Sequence, residues 1–336
     1  MVDTASAAPP VLAALHQFND GLVRRLFLRA PFETHGSLHV VCRRLKTLLR
    51  SREFLQQRVD SGLAEYGLVV AGGERDGRVI ADSSMFTCGR WRPITPLSGP
   101  RRPACSAIVE DEDGQPEMWV MGGYDGGNHL ATVEAYNPRT NTWRSCLPLS
   151  QRRFGAVAGV VGGRLVVAGG YGCDGALTSV EAFTPTGWTP LPPLPHAADE
   201  ATACVLNGRL YVMGGQGSNK LQVLEMTEEN GLSWSCKADL PARRYDAASV
   251  VHEGKIWVMG GWVPGEGLSA SVITYDADLD SWAAGTPLPR AIGACCAVLH
   301  AGEVNVIFDG RVFVSRSGAW EARPAEREAR CAFASS

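Results

Sequence analysis

Five short stretches of the chain end in a Gly-Gly doublet: LVVAGG at 68–73, MWVMGG at 118–123, LVVAGG at 165–170, LYVMGG at 210–215 and IWVMGG at 256–261. Each stretch carries β-branched or aromatic residues and is too short for a typical helix, so each is predicted to be a β-strand. Because the doublets recur every 45 to 50 residues, the fold is predicted to be an array of one repeated unit.

A tryptophan follows the first glycine of each doublet by 19 to 22 residues. After it come a proline-rich turn and a run of small apolar residues, such as FGAVAGVV at 154–161. Small residues suit a strand near a central axis, so each unit is predicted to be a four-stranded meander. The glycines should permit turns that a side chain would block, and the tryptophans should wedge between neighbouring meanders. The residues with these structural roles are Gly72, Gly73, Gly122, Gly123, Gly169, Gly170, Gly214, Gly215, Gly260, Gly261, Trp91, Trp143, Trp188, Trp234, Trp282 and Trp320.

The two ends of the repeat array are irregular. EVNVIF at 303–308 aligns with the strands that precede the doublets, but Asp309-Gly310 replaces the doublet and predicts a tight hairpin. The first unit starts directly at its Gly-Gly strand, without a small-residue strand before it. REARCAFA at 327–334 resembles the small-residue strands and is predicted to complete the first unit, which would leave no exposed sheet edge.

These units resemble the kelch repeat, which folds as one blade of a β-propeller. The resemblance covers residues 66–336 and rests on the doublets, the tryptophans and the arginine-rich turns in the same order. It implies an all-β fold, a six-bladed kelch β-propeller over residues 61–336, with one blade built from both ends of the chain.

The N-terminal part of the chain has a different composition. Residues 1–15 are rich in alanine and proline and are predicted to be flexible. In residues 16–60 glycine nearly vanishes and apolar residues take helical spacing. The core VVCRRLKTLLRSREF at 40–54 resembles an F-box, although Phe18-Asn19 and Leu45 depart from the family's usual residues. The resemblance implies that this segment docks on the linker subunit of a ubiquitin ligase through Leu22, Leu26, Leu38, Val41, Cys42, Leu45, Leu48 and Phe54.

The turns before the small-residue strands carry a second pattern. Arginine pairs stand at 101–102, 152–153 and 243–244, whereas HAADE at 196–200 departs from it. In kelch adaptors such arginines lie on one rim with the loops after the doublets and grip partner peptides. Arginine and aromatic side chains would suit a charged or polar peptide, while the alternative is that each arginine braces a neighbouring blade. The predicted target-binding rim is Arg102, Tyr124, Asp125, Asn128, Arg153, Tyr171, Gln216, Asn219, Arg244, Trp262 and Arg290.

Several chemistries are rejected. GYGCDG at 170–175 matches a dinucleotide-binding glycine pattern, but a strand-like alternation follows it instead of a helix. His35 and His39 could share a helix face, yet no third ligand stands at a convincing spacing. The ten cysteines form no C-x-x-C pair and are predicted to be reduced, buried thiols. We therefore predict no catalytic residues, no metal and no cofactor.

Charge and hydropathy restrict the partners and the compartment. The formal net charge of −3 argues against a general nucleic-acid binder. No signal peptide and no membrane-length apolar run are recognised, so the protein is predicted in the cytoplasm, with the nucleus as the alternative.

Three functions follow as hypotheses. The first is a non-enzymatic substrate-recognition adaptor of an SCF-type ubiquitin ligase, in which the propeller binds a target protein and the F-box-like helices bind the linker and cullin assembly. The second is a kelch scaffold, for example a cytoskeletal binder, with the helices as a structural cap. The third is an enzyme acting on a sugar, which acidic and basic groups converging in the central channel would favour.

Overall fold

The computed structural model describes residues 68–87, 90–112, 114–227, 231–300, 302–308, 311–316 and 318–324. The predicted flexible segment 1–15, the F-box-like segment 16–60 and the predicted closing strand 327–334 lie outside the described residues. Within the described ranges, no helix is long and apolar enough to cross a membrane.

Six antiparallel sheets follow one another along the described chain, which confirms the prediction of an all-β, six-bladed propeller. Blade 1 comprises β1 (Leu68–Arg75), β2 (Arg78–Thr87) and β3 (Arg90–Ile94). Blade 2 comprises β4 (Cys105–Glu110), β5 (Pro116–Met121), β6 (Val133–Asn137) and β7 (Thr142–Cys146). Blade 3 comprises β8 (Val157–Val161), β9 (Arg164–Ala168), β12 (Val180–Thr184) and β13 (Gly187–Leu191), with the small hairpin β10 (Tyr171–Gly172) and β11 (Gly175–Ala176).

The other three blades repeat this order. Blade 4 comprises β14 (Thr202–Leu206), β15 (Arg209–Met213), β16 (Leu221–Thr227) and β17 (Gly231–Lys237). Blade 5 comprises β18 (Ala248–His252), β19 (Lys255–Met259), β22 (Val272–Asp276) and β23 (Ser281–Ala284), with the hairpin β20 (Trp262–Val263) and β21 (Gly267–Leu268). Blade 6 comprises β24 (Cys296–His300), β25 (Glu303–Phe308), β26 (Arg311–Arg316) and β27 (Ala319–Pro324).

Apolar packing between blades closes the ring. The small-residue strands β4, β8, β14, β18 and β24 neighbour one another in sequence order and surround the axis. Blade 1 packs on blade 6, where Leu68 and Val70 join Val298, Ile307 and Val314 in one buried cluster. Each face of a blade is therefore removed from water by its neighbour, the main favourable contribution to folding. Among the described residues blade 1 has three strands; its completion by residues 327–334 stays a prediction.

The Gly-Gly doublets stand where one blade approaches the next. Gly122 and Gly123 have φ angles of 63° and 105°, in the left-handed region that favours glycine. A Cβ atom added to Gly122 would lie 2.5 Å from the Arg153 carbonyl oxygen of blade 3. Glycine is thus required here both by backbone conformation and by the space between blades.

The repeat tryptophans bridge successive blades. The Trp143 indole Nε1 donates to the Thr95 carbonyl of the preceding blade at 2.8 Å, and Trp188 Nε1 donates to the Leu147 carbonyl at 2.9 Å. The same bond to the preceding blade recurs at Trp234, Trp282 and Trp320. Trp91 differs, because its buried Nε1 has no hydrogen-bond partner among the described residues.

Candidate binding surface at the propeller rim

Three arginines of the turn pattern lie inside the ring. The backbone carbonyls of Arg101, Arg153 and Arg244 each accept a bond from the second glycine of a doublet, which makes these three positions equivalent. Their side chains are buried. The arginine at this shared position is thus the first residue of the pair at 101–102, but the second residue of the pairs at 152–153 and 243–244.

Arg153 shows what the buried arginine does. Its guanidinium bonds the carbonyls of Gly169 and Ser179 at 2.7 and 3.0 Å and pairs with the Glu181 carboxylate at 2.8 Å. The second oxygen of Glu181 accepts from the Ser150 amide at 2.9 Å. Burial, opposed by the charge of Glu181, lowers the pKa of Arg153. The guanidinium ties the turn to strand β12 and faces the interior.

Arg101 repeats this arrangement with Glu134 at 2.5 Å. Arg244 bonds Gly260 O and Ser271 Oγ at 3.1 and 3.0 Å and forms no ion pair with another described residue. In blade 4 Ala198 takes the arginine position, and Gln222 bonds both backbone groups of His196 instead. Of the predicted target-binding residues, the structure therefore places Arg153 and Arg244 in the interior as blade braces, which leaves them no surface for a partner.

The loops after the doublets do share one rim with the turns. Backbone bridges join Arg102 to Tyr124, Phe154 to Tyr171 and Tyr245 to Trp262. We call the surface formed by these six residues and His129 the aromatic rim. Tyr171 is 36% exposed and Trp262 is 42% exposed. Exposed aromatic side chains with polar ends are typical anchors of protein interfaces.

Two aromatic groups stand on this rim. Tyr124, His129, Phe154 and Tyr171 form a cluster with ring centroids 4.9 to 6.3 Å apart. The second group belongs to blade 5, where the Tyr245 ring stacks on the Trp262 ring with centroids 6.5 Å apart.

The remaining predicted rim residues shape or flank the loops. The Asp125 carboxylate accepts from the amides of Gly127 and Asn128 at 2.8 and 2.7 Å, and these bonds lower its pKa. The Asn219 side chain donates to the Leu240 carbonyl at 3.2 Å. Gln216 is exposed, and the exposed Arg290 places its guanidinium 5.6 Å from the centre of the Phe308 ring.

A ring of backbone hydrogen bonds marks the entrance to the axis. It runs from Gly155 N to Pro103 O, from Glu200 N to Gly155 O, from Asp246 N to Glu200 O and from Ala294 N to Asp246 O, at 2.9 to 3.1 Å. These five residues precede the inner strands of blades 2 to 6, and we call them the channel mouth. The ring brings Glu200 and Asp246 next to each other at the centre of the rim.

Charged groups converge at the channel mouth. Burial, followed by the charges of Asp246 and Asp199, raises the pKa of Glu200 to about 7, and Arg102 opposes this shift. Burial also raises the pKa of Asp246 and of Asp199. Arg102, in turn, pairs with Glu74 at 2.7 Å. The described residues contain no group of three or more His, Cys, Asp or Glu that could hold a metal ion.

The carboxylates of Asp199, Glu200 and Asp246 were not among the site residues predicted from the sequence. The available signal was HAADE at 196–200, where acidic residues replace the arginine pattern. Asp246 gave a weaker signal, because it directly follows a turn whose arginines drew the prediction.

This chain is similar to a family model and to several known proteins. Residues 115–149 and 243–289 match the family model of the Kelch motif, in agreement with the repeat predicted there. Kelch-like protein 35 of Mus musculus is 27% identical over 255 residues, which cover 73% of this chain and 42% of that protein. F-box protein AFR of Arabidopsis thaliana is 27% identical over 205 residues, covering 57% of this chain and 52% of that protein.

A solved structure has the same fold. It is titled "Structure of YjhT", superposes with a TM-score of 0.61 at 15% identity, and covers 76% of this chain and 96% of its own. The chain spans 35% to 42% of the length of three Kelch-like relatives, namely proteins 35, 23 and 36. The class defined by fold and comparison is thus a β-propeller with kelch motifs, similar to Kelch-like and F-box proteins.

Proposed function

We propose that this protein is the substrate-recognition adaptor of an SCF-type ubiquitin ligase and acts in the cytoplasm or the nucleus without catalysing a reaction itself. The observation that carries the binding role is the aromatic rim, where Tyr171 and Trp262 are exposed on rigid blades. A rigid aromatic surface loses little conformational entropy on binding, so it suits recognition of a protein. The target protein would dock on this rim.

The ligase part of the proposal rests on the N-terminal segment. Its F-box-like core at 40–54 supports docking on a linker subunit, and one relative is named an F-box protein. A segment of about 45 residues cannot bury all of its own apolar surface. Part of the stripe that contains Leu22 and Val41 would therefore face either the propeller or another protein, and the adaptor function requires the second.

Affinity purification from cells tests the adaptor role. The wild-type chain should recover linker and cullin subunits, and the double variant Leu22→Asp, Val41→Asp should lose both. The matched control is Trp262→Ala, which should retain the ligase subunits because it changes only the rim. If wild-type protein recovers no linker under conditions where a known F-box protein does, the scaffold function replaces the adaptor function.

A second candidate function is an enzyme acting on a sugar. The observation that favours it is the convergence of Arg102 with Glu74, Glu200 and Asp246 around the channel mouth. Acidic and basic groups that lie together can bind and protonate a polar substrate. Proton NMR of a panel of sugars with the purified full-length chain tests it: new sugar signals would support an enzyme, and unchanged spectra would eliminate it.

A further inference from the structure

The channel mouth has more negative charge than its surroundings neutralise. Asp199, Glu200 and Asp246 act on one another electrostatically, and Arg102 is the only basic group whose charge lowers the pKa of Glu200 or Asp246 among the described residues. Arg102 is itself paired with Glu74 at 2.7 Å. Glu74, Glu200 and Asp246 therefore share the guanidinium of Arg102.

Asp199 is the clearest sign that a positive group is missing. The residue is 4% exposed. Its carboxylate has no hydrogen bond or ion pair with another described residue; its bond is to its own backbone amide. A buried carboxylate without a counter-charge is costly, and proteins normally pair such groups. In contrast, the buried Glu181 of blade 3 has both an arginine and a serine amide as partners.

Aromatic side chains flank this negative centre. Tyr245 immediately precedes Asp246, and burial followed by the charges of Glu200 and Asp246 raises its pKa. Its ring stacks on the exposed Trp262, and Phe154 stands on the other side, next to Gly155 of the channel mouth. Aromatic faces attract ammonium and guanidinium groups and can cover their apolar stems.

We propose that the channel mouth is a pocket for a lysine or arginine side chain, and that the partner of the aromatic rim is a basic segment of a protein. This inference rests on the proposed function as a protein-binding propeller and specifies its partner class. The cation ion-pairs with Glu200 and Asp246, supplies the counter-charge for Asp199, and stacks on Tyr245 or Trp262. The charge of this partner is opposite to the one that a rim of arginines would bind, because Arg153 and Arg244 face the interior.

Selection from a phage-displayed random-peptide library on the immobilised full-length chain tests the proposal. Peptides retained by the wild type should be enriched in lysine and arginine. The most enriched peptide is then synthesised with a fluorescein label, and its affinity is measured by anisotropy. Glu200→Gln and Asp246→Asn should each weaken binding by about 10–100-fold, the range for a lost hydrogen bond to a charged group. Replacing the key basic residue of the peptide by glutamine should have the same effect.

A matched charge control separates this pocket from general attraction to an acidic protein. Glu253→Gln removes one carboxylate at the turn after β18, at the other end of the inner strand, where Glu253 is 79% exposed. It should leave the affinity unchanged. Thermal melting of each variant checks the fold, and Glu200→Gln should melt no lower than the wild type at pH 8 because it removes a desolvated charge.

The outcomes distinguish this inference from the function on which it rests. Acidic or charge-neutral peptides bound with equal affinity by wild type and Glu200→Gln would overturn the basic-partner inference while leaving a protein-binding rim in place. If the wild type retains no peptide above background, the inference and the protein-binding role of the rim both fail. Equal loss of affinity in Glu253→Gln and Glu200→Gln would also overturn the pocket, since the attraction would then be nonspecific.

Discussion

Removal of the Arg153 side chain is the perturbation for which the structure sets the magnitude most clearly. Arg153 and Glu181 are 1% and 3% exposed and form a charged pair at 2.8 Å. Arg153→Ala leaves the Glu181 carboxylate without its counter-charge in a site closed to water. It also removes the donors to the Gly169 and Ser179 carbonyls. Breaking a buried pair on one side costs about 3–5 kcal/mol, so the free energy of unfolding should fall by that amount.

The matched control is an arginine of the same kind of pair on the surface. Arg209 contacts Glu225 at 2.8 Å, but its side chain is 51% exposed. Arg209→Ala should lower the free energy of unfolding by only about 0–1 kcal/mol, because water and salt screen the pair. Urea unfolding followed by tryptophan fluorescence measures both changes from the shift of the midpoint at a common slope.

Two results would contradict a buried structural role for Arg153. One is an equal effect of Arg153→Ala and Arg209→Ala. The other is an unchanged unfolding midpoint of Arg153→Ala together with lost peptide binding, which would move this guanidinium from the interior to the rim. If Arg153→Ala does not fold, Arg153→Lys retains the charge without the forked geometry. It should give a smaller but measurable destabilisation.

Three further predictions concern the tryptophans, the ring closure and the channel mouth. Trp143→Ala should lower the free energy of unfolding by about 2–4 kcal/mol through lost packing and the lost bond to Thr95, less than for a fully buried tryptophan because the side chain is only half-buried. Urea unfolding measures the change, and unchanged stability would contradict a wedge between blades. Deleting 327–336 should expose a sheet edge and lower the melting temperature or cause aggregation, measured by light scattering on heating, and an unaltered melt would contradict ring closure by the C-terminal strand. Burial raises the pKa of Glu200 to about 7 in the folded state, so the stability that its proton contributes is lost as the pH rises through 7. Glu200→Gln should therefore have a higher melting temperature than the wild type at pH 8, with a difference that shrinks at pH 5, and an equal difference at both pH values would contradict the raised pKa.

The fold could be predicted from the sequence because local requirements repeat in every blade. The Gly-Gly doublet is forced by a left-handed backbone and by the carbonyl of the next blade 2.5 Å from where a Cβ would stand at Gly122. The tryptophan needs one acceptor, the backbone of the preceding blade, which any residue supplies. Because each blade has the same requirements, the same residues recur at the same spacing, and this periodicity can be recognised in the sequence.

The site could be predicted only in part, because charge and direction depend on contacts between distant residues. The loops after the doublets were located from spacing alone, and Tyr171 and Trp262 are exposed on them. The direction of the Arg153 side chain is decided by Glu181, which lies 28 residues later on strand β12. The sequence of an arginine pair in a turn shows neither which of the two side chains is buried nor whether a carboxylate lies close enough to pair with it. The electrostatic interaction between Glu200 and Asp246 likewise arises only when blades 4 and 5 lie side by side.

Reconstitution with purified components is a direct test of the adaptor function. The full-length chain is mixed with a purified SCF linker subunit and analysed by size-exclusion chromatography. We expect one co-eluting complex with the wild type and separate peaks with the double variant Leu22→Asp, Val41→Asp. Separate elution of a folded wild-type chain and a linker that does co-elute with a known F-box protein would contradict it.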